Sequence, residues 1–315
     1  LRSRGLGDVY KRQVLALYTY DKEPENKSME SEMLKAISVI ARLPAIMVGA
    51  YQVMRRYLYN SSMVMHPINL DESLAESILS TLRDNREYTK EEAKLLDLCL
   101  MLHAEHGGGN NSTFTCRCVT STGTDAYAAY ASAISALKGP RHGGANIKVM
   151  EMLNCIENGV KNWENEGEVA DFLTKILNKE ENDHSGLIYG MGHAVYTLSD
   201  PRAVQLKKSA LKLAKGTEVE AEFRLLDTIE RLTPQLFAKN KGDIKTMCAN
   251  VDMYSGLVYK LLGIPVEMYT ALFACARMPG WCAHRMEEIE NGKRIMRPAY
   301  RTLIKNRDYI ALDER

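Results

Sequence analysis

An all-α chain is predicted by three observations. Apolar residues return three or four positions apart along nearly the whole sequence. Helix-capping signatures and Gly or Pro stops punctuate those runs. Strand alternation is scarce, and the stretch around Tyr189 is too rich in glycine for a regular strand.

The elements follow in order. Met33, Leu34, Ile37, Ile40 and Ala41 form the first stripe, and Pro44 is expected to end or kink that helix. Leu74, Ile78, Leu79 and Leu82 repeat the spacing after Asp71. Thr89 to Glu92 reads T-x-x-E, a capping box in which hydroxyl and carboxylate each satisfy a backbone N–H. It opens a helix with a stripe of Leu95, Cys99 and Leu102, and His106 takes the next position. Thr124 to Leu137 is dominated by alanine, which lets helices approach closely, and Gly139-Pro140 stops it. A further helical pattern runs from about Gly144 to Glu157. Asp200-Pro201 reads as an N-cap followed by proline at the first helical position, with the helix reaching about Ala214. Thr217 to Glu220 is a second T-x-x-E, followed by Phe223, Leu226, Ile229 and Leu232. Tyr254, Leu257, Val258 and Leu261 are closed by Gly263 and Pro265. A last long helix is expected from Glu267 to about Glu290.

The chain has 315 residues, enough for about two domains and a sizeable core without covalent staples. Its 41 basic and 40 acidic side chains give a net charge of +1, which excludes nucleic-acid or membrane binding by bulk electrostatics. The seven cysteines are odd in number and irregularly spaced; Cys116-x-Cys118 is the closest approach to a metal or redox motif. Reduced thiols and a cytoplasmic location are expected, not a disulfide framework or a zinc site. The longest apolar run, Leu43 to Met54, is interrupted by Gln52 and falls short of a bilayer span. Residues 1–13 are basic, carry two glycines and lack periodicity, so they are expected to be a non-native leader.

Four segments carry the candidate chemistry. In Leu102-His103-Ala104-Glu105-His106-Gly107, two histidines lie three apart before a glycine run. Taken alone this is a polar helix end with a glycine cap, or conceivably a metal site. Gly139-Pro140-Arg141-His142-Gly143-Gly144 puts an imidazole near a helix start, where the dipole favours the neutral ring. A neutral ring N–H polarises a carbonyl without surrendering its proton; the plainer reading is a loop histidine bonded to backbone. Tyr189-Gly190-Met191-Gly192-His193 leads into Asp200-Pro201-Arg202. The glycines would admit a ligand close to the backbone, and an arginine at a helix N-terminus asks for an anion. Asn250-Val251-Asp252 offers either an N-cap or a general base.

The motifs G-P-x-H-G-x-A-N, G-x-G-H-A-V-x(4)-D-P-R and N-V-D-x-x-S-G, in this order after His106, jointly resemble citrate synthase. The resemblance covers nearly everything after residue 13. It implies that Asp252 is the base that deprotonates the methyl of acetyl-CoA. His142 would hydrogen-bond the thioester oxygen, and His193 would polarise the ketone of oxaloacetate. His106, Arg202 and Arg277 would bind the substrate carboxylates, with Arg297 given across a subunit interface. It further implies catalysis without metal or organic cofactor, and a homodimer or larger oligomer with the Ala-rich helix in its interface. No nucleic-acid or membrane partner is expected. The implied fold has a large helical domain, 14–142 and 263–315, into which a smaller helical domain, 143–262, is inserted. Two departures stand out. Family members are longer, which implies that an N-terminal part of the large domain is absent. Thr197 falls where some members place a CoA-phosphate arginine; Lys207, Lys208 and Lys212 are substitutes only if they are not simply a solvated helix face. The motifs do not separate acetyl-CoA from propionyl-CoA, whose use would make a 2-methylcitrate synthase. A metal-dependent His/Asp hydrolase and a non-catalytic relative are the readings from other classes.

Overall fold

The computed structural model describes residues 11–192, 196, 198–241, 247–292, 294–299, 301, 303 and 309–314. Eleven α-helices lie within these: α1 (Met29–Leu58), α2 (Leu74–Leu82), α3 (Lys90–His103), α4 (Asn111–Thr120), α5 (Ala126–Leu137), α6 (Ala145–Gly159), α7 (Glu166–Leu177), α8 (Pro201–Ala214), α9 (Glu220–Lys241), α10 (Asp252–Leu261) and α11 (Tyr269–Asn291). Among the described residues the only β-pairing is a single antiparallel bridge, Met191 to Ala249. The fold is all-α, as the periodicity predicts.

The helix starts obey local chemistry. Thr89 and Glu92 form their capping box on α3, and Ser73 with Glu76 forms another on α2 that the reading of the sequence passed over. Asp200 caps α8 ahead of Pro201. Asn165 caps α7, a helix without a sequence expectation above. The second T-x-x-E does not form a box. Thr217 Oγ1 donates back to the Ala214 carbonyl, and the Glu220 carboxylate accepts from the Gly216 N–H. Both side chains finish the turn between α8 and α9, Glu220 doing so from the first position of α9.

Helix α1 departs most from expectation. It does not end at Pro44 but continues to Leu58, with buried Leu43, Met47 and Val48 flanking the proline. Its buried face is Ala36, Val39, Leu43 and Met47, while Met33, Leu34 and Ile37 of the predicted stripe are exposed. By length and composition alone α1 could cross a membrane, unlike the shorter run Leu43 to Met54. Its polar residues instead mark a core helix. Glu32 is fully buried against Arg285, and the Lys35 ammonium donates to the carbonyls of Pro24 and Asn26.

Packing falls into two groups. Helix α11 lies against α1, α3, α4 and α5, while α6 to α10 pack among themselves. Helix α3 touches α8, joining the groups on the side where the candidate residues gather. In the first group the small faces of α4 and α5 pack together, with Ala126, Ala129 and Ala133 fully buried.

Candidate active site

Helix α3 stops at His103, so His106 lies in the loop before α4 and not on the apolar stripe. Gly107 adopts a positive φ of 87°, turning the chain immediately after it. The Arg202 Nη1 donates to His106 Nδ1 at 3.2 Å. A guanidinium only donates, so Nδ1 is the accepting nitrogen and a neutral His106 carries its proton on Nε2.

Arg202 is held from the other side by Asp200. Its Nε and Nη2 meet the two carboxylate oxygens at 3.1 and 2.9 Å, and its own N–H is capped by the same carboxylate. The arginine at the helix start is thus already balanced by a buried aspartate, and its Nη1 edge is turned toward His106. The sequence argument for an external anion overlooked this local partner.

Arg277 sits deep on α11, 1% exposed. Its Nε donates to the His103 carbonyl and its Nη1 to Asn110 Oδ1 at 3.4 Å, with the guanidinium 4.9 Å above the Phe273 ring. Burial, joined by the charge of Arg202, pushes its pKa down to about 10. The Phe273 ring also receives the edges of His103 and His142, at 5.1 and 6.2 Å between centroids. No sequence signal singled out Phe273, because an aromatic on a buried helix face reads as core.

His142 follows the turn after α5, and its Nε2 lies 2.9 Å from Ser112 Oγ on α4. Burial first, and then the Arg277 charge, hold its pKa below the usual histidine range. The ring is therefore neutral at pH 7, as expected, though burial and a neighbouring cation supply the cause. Trp281 Nε1 donates to the same Ser112 Oγ at 3.3 Å. The single Ser112 hydroxyl proton has two acceptors in reach, Asn110 Oδ1 at 3.1 Å and His142 Nε2; when it turns to Nε2, the ring proton resides on Nδ1 and can donate elsewhere.

Asp252 is the first residue of α10 and does not cap it. Val251 holds the N-cap position without a side-chain bond, and Asn250 Oδ1 accepts the Asp252 N–H at 3.0 Å. Released from capping, the Asp252 carboxyl is pushed up by burial to about 6, against the pull of Arg202 and Arg277. A carboxylate with that pKa is ionised at neutral pH yet more basic than one in water.

The loop of His193 is tied to the loop before Asp252. Asn250 N–H donates to Gly190 O, Gly192 N–H to Cys248 O, and Asn250 Nδ2 to Gly192 O. A Cβ on Gly190 would come within 2.8 Å of Met253 Cα, so this glycine admits α10 and not a ligand. His193 and Thr197 themselves lie outside the described residues. Arg297 is exposed after α11, and the structure does not bring it to this cluster; the neighbouring Met296 N–H donates to Ser121, at the opposite end of α4 from Asn110. Lys207 is engaged by Asp227 and Glu230, which removes it as a free phosphate ligand, while Lys208 and Lys212 are exposed on α8. Among the described residues no group of three or more His, Cys, Asp or Glu side chains is arranged to hold a metal ion.

The structure thus gathers His106, His142, Arg202, Arg277 and Asp252. Comparison with known proteins gives the same direction. Residues 6–299 match the family model of the citrate synthase C-terminal domain, a span that begins within the segment expected to be foreign. The chain is 36% identical over 282 residues to citrate synthase of Synechocystis, covering 89% of this chain and 64% of that protein. It is 38% identical over 229 residues to citrate synthase of Deinococcus radiodurans, covering 73% and 56%. The chain thus spans under two thirds of the length of these relatives. The ternary complex of Thermoplasma acidophilum citrate synthase with carboxymethyl coenzyme A and oxaloacetate superposes with a TM-score of 0.77 at 30% identity, over 100% of this chain and 77% of that one. These likenesses give the metal-dependent hydrolase reading no support.

Proposed function

Because this chain belongs to the citrate synthase family, we propose that its site condenses acetyl-CoA with oxaloacetate and hydrolyses citryl-CoA to citrate and CoA. One observation carries the reading: Asp252, a carboxylate with a pKa of about 6, feels the field of two cations, Arg202 and Arg277. A base beside two cations is what this condensation of a dicarboxylate requires.

A thioester α-proton is far too weakly acidic for a carboxylate acting alone in water. The enol must be stabilised as the proton leaves, inside a dry and preorganised site. Asp252 takes the methyl proton while the neutral His142 donates from Nδ1 to the thioester oxygen, with Ser112 holding Nε2. The enol carbon attacks the ketone carbon of oxaloacetate, and His193 supplies a proton to the developing alkoxide. Arg277, and Arg202 already tied through Nε and Nη2 to Asp200, hold the carboxylates together with the Nε2–H of His106. Water then adds to the citryl thioester, and CoA leaves as the thiol. Every group in this scheme is a side chain, so it calls for no metal or organic cofactor.

The same reading takes the chain as part of a cytoplasmic homodimer or larger oligomer, with Arg297 given to the neighbouring subunit's site. It also takes residues 143–262 as a smaller domain that closes on the remainder, keeping water out until condensation is complete. Oxaloacetate-dependent release of CoA thiol from acetyl-CoA, with propionyl-CoA as the comparison substrate, tests the proposal. Absence of thiol release with either substrate overturns it.

A further inference from the structure

The loop bearing His106 is held from behind by a residue with no part in the proposed chemistry. His284 lies on α11, two turns beyond Arg277, and its Nε2 is 3.1 Å from Glu105 Oε1. That same oxygen accepts the backbone N–H groups of His106, at 2.9 Å, and of Gly107. Gly108 is wedged between the Arg117 guanidinium and the His284 ring, where an added Cβ would lie 3.0 and 3.3 Å from them. Helix α11 comes this near only because position 280 is glycine; a Cβ there would meet the Ala104 carbonyl at 2.2 Å and Glu105 Oε2 at 2.6 Å. The other ring nitrogen, Nδ1, lies 3.1 Å from Glu287 Oε2 on the solvent side.

We propose that His284 is a positioning residue: by donating from Nε2 to Glu105 it fixes the loop that aims His106 at the substrate carboxylate. The inference rests on the proposed oxaloacetate-binding role of His106. One carboxylate oxygen collects the backbone of the two residues that set the His106 direction, and α11 anchors that oxygen to the helix carrying Arg277. The two carboxylate ligands therefore move as one unit. A loosened loop would populate the binding geometry only part of the time, which weakens substrate affinity without altering the reacting groups.

The two ring nitrogens allow a positional test. Glutamine reproduces the reach of Nε2, while asparagine reproduces that of Nδ1. In the full chain, His284→Asn is expected to raise KM and Kd for oxaloacetate about fivefold, the scale of one lost hydrogen bond. kcat should change less than twofold. His284→Gln should restore KM, and Glu287→Gln should leave it unchanged. Hydrogen exchange at His106 and Gly107 should accelerate in His284→Asn and not in His284→Gln. Glu105→Ala provides a second variant with the same expected loosening. If wild type is active while KM and loop exchange are unchanged in both His284→Asn and Glu105→Ala, the inference is overturned. A fall in kcat equal to the rise in KM, unrescued by glutamine, also overturns it. If wild type neither binds oxaloacetate nor releases thiol, yet the loop still loosens in His284→Asn, the oxaloacetate reading fails and the strut stands.

Discussion

Helix α11 presents two buried arginines about two turns apart, and they live in opposite circumstances. Arg285 is sealed: its Nε and Nη2 meet both oxygens of Glu32 at 2.8 and 2.9 Å, and its remaining donors reach Thr120 Oγ1 and the Thr124 carbonyl. Burial pushes its pKa down, but Glu32 more than offsets that, and the net shift is upward. Among the described residues Arg277 makes no ion pair within 4 Å; its bonds go to a carbonyl and an amide, and its pKa falls. A guanidinium with a complete carboxylate shell holds helices together. One buried beside a second cation, with only neutral acceptors, fits the proposed role of receiving a substrate carboxylate. The same residue type, one helix, and the two roles are separated by whether the matching carboxylate belongs to the protein.

The largest expected effect tests the anionic member of the site. Asp252→Asn removes the proposed base and should lower kcat by about 10²–10⁴-fold, with oxaloacetate binding nearly unchanged. Its effect on stability has the opposite sign. The native carboxyl is raised to about 6 from 3.8, so between those values the native state holds more protons than the unfolded chain. Stability therefore falls as pH rises through that window, and the cost is complete above about pH 6. Asparagine escapes it, so Asp252→Asn should be more stable than wild type at pH 8, by about 1–3 kcal/mol, with the gain vanishing toward pH 4. Denaturant titrations at the two pH values measure this. A variant destabilised at pH 8, or one that keeps wild-type turnover, would show that Asp252 serves the helix.

The arginine pair sharpens the contrast. Arg285→Leu strands the Glu32 carboxylate in the core and should cost about 3–5 kcal/mol, with normal activity per folded molecule. Arg277→Leu leaves no protein carboxylate stranded in a bond. It should preserve the melting temperature within a few degrees while raising KM for oxaloacetate by about two orders of magnitude. Equal losses of stability in the two variants would erase the distinction.

How much of this was readable beforehand depended on the range of the physics. Helix starts are set within four residues, so the Thr89 box and the Asp200-Pro201 start matched, and Asn165 and Ser73 carry signals of the same kind. The burial of α1 is decided by which helices lie beside it, and Met33, Leu34 and Ile37 fit a helical period while facing outward. His106, His142, Arg202 and Asp252 were visible through their motifs, and Arg277 through the family resemblance alone. Their supports were not. Ser112, Phe273, Glu105 and His284 act across separations of thirty to almost two hundred residues, and each alone resembles an ordinary serine, core aromatic or surface charge. Gly190 was misread for the same reason: its need for space comes from Met253, sixty-three residues away.

The smallest expected effect concerns the neutral side of the cluster. Ser112 Oγ is fully buried and meets His142 Nε2 at 2.9 Å, Trp281 Nε1 at 3.3 Å and Asn110 Oδ1 at 3.1 Å. It joins His142 to the same Asn110 that accepts from Arg277. Ser112→Ala removes the hydroxyl that, when turned to Nε2 and away from Asn110, keeps the His142 proton on Nδ1, and the ring loses that preference. Only one tautomer donates to the thioester, so kcat should fall about tenfold or less while KM for oxaloacetate stays within twofold. Ser112→Thr keeps the hydroxyl and should recover part of kcat, to the extent that its added methyl is tolerated beside Trp281. If Ser112→Ala instead raises KM and leaves kcat alone, the hydroxyl acts through Asn110 on Arg277, and the boundary between the two halves of the site lies on the other side of α4.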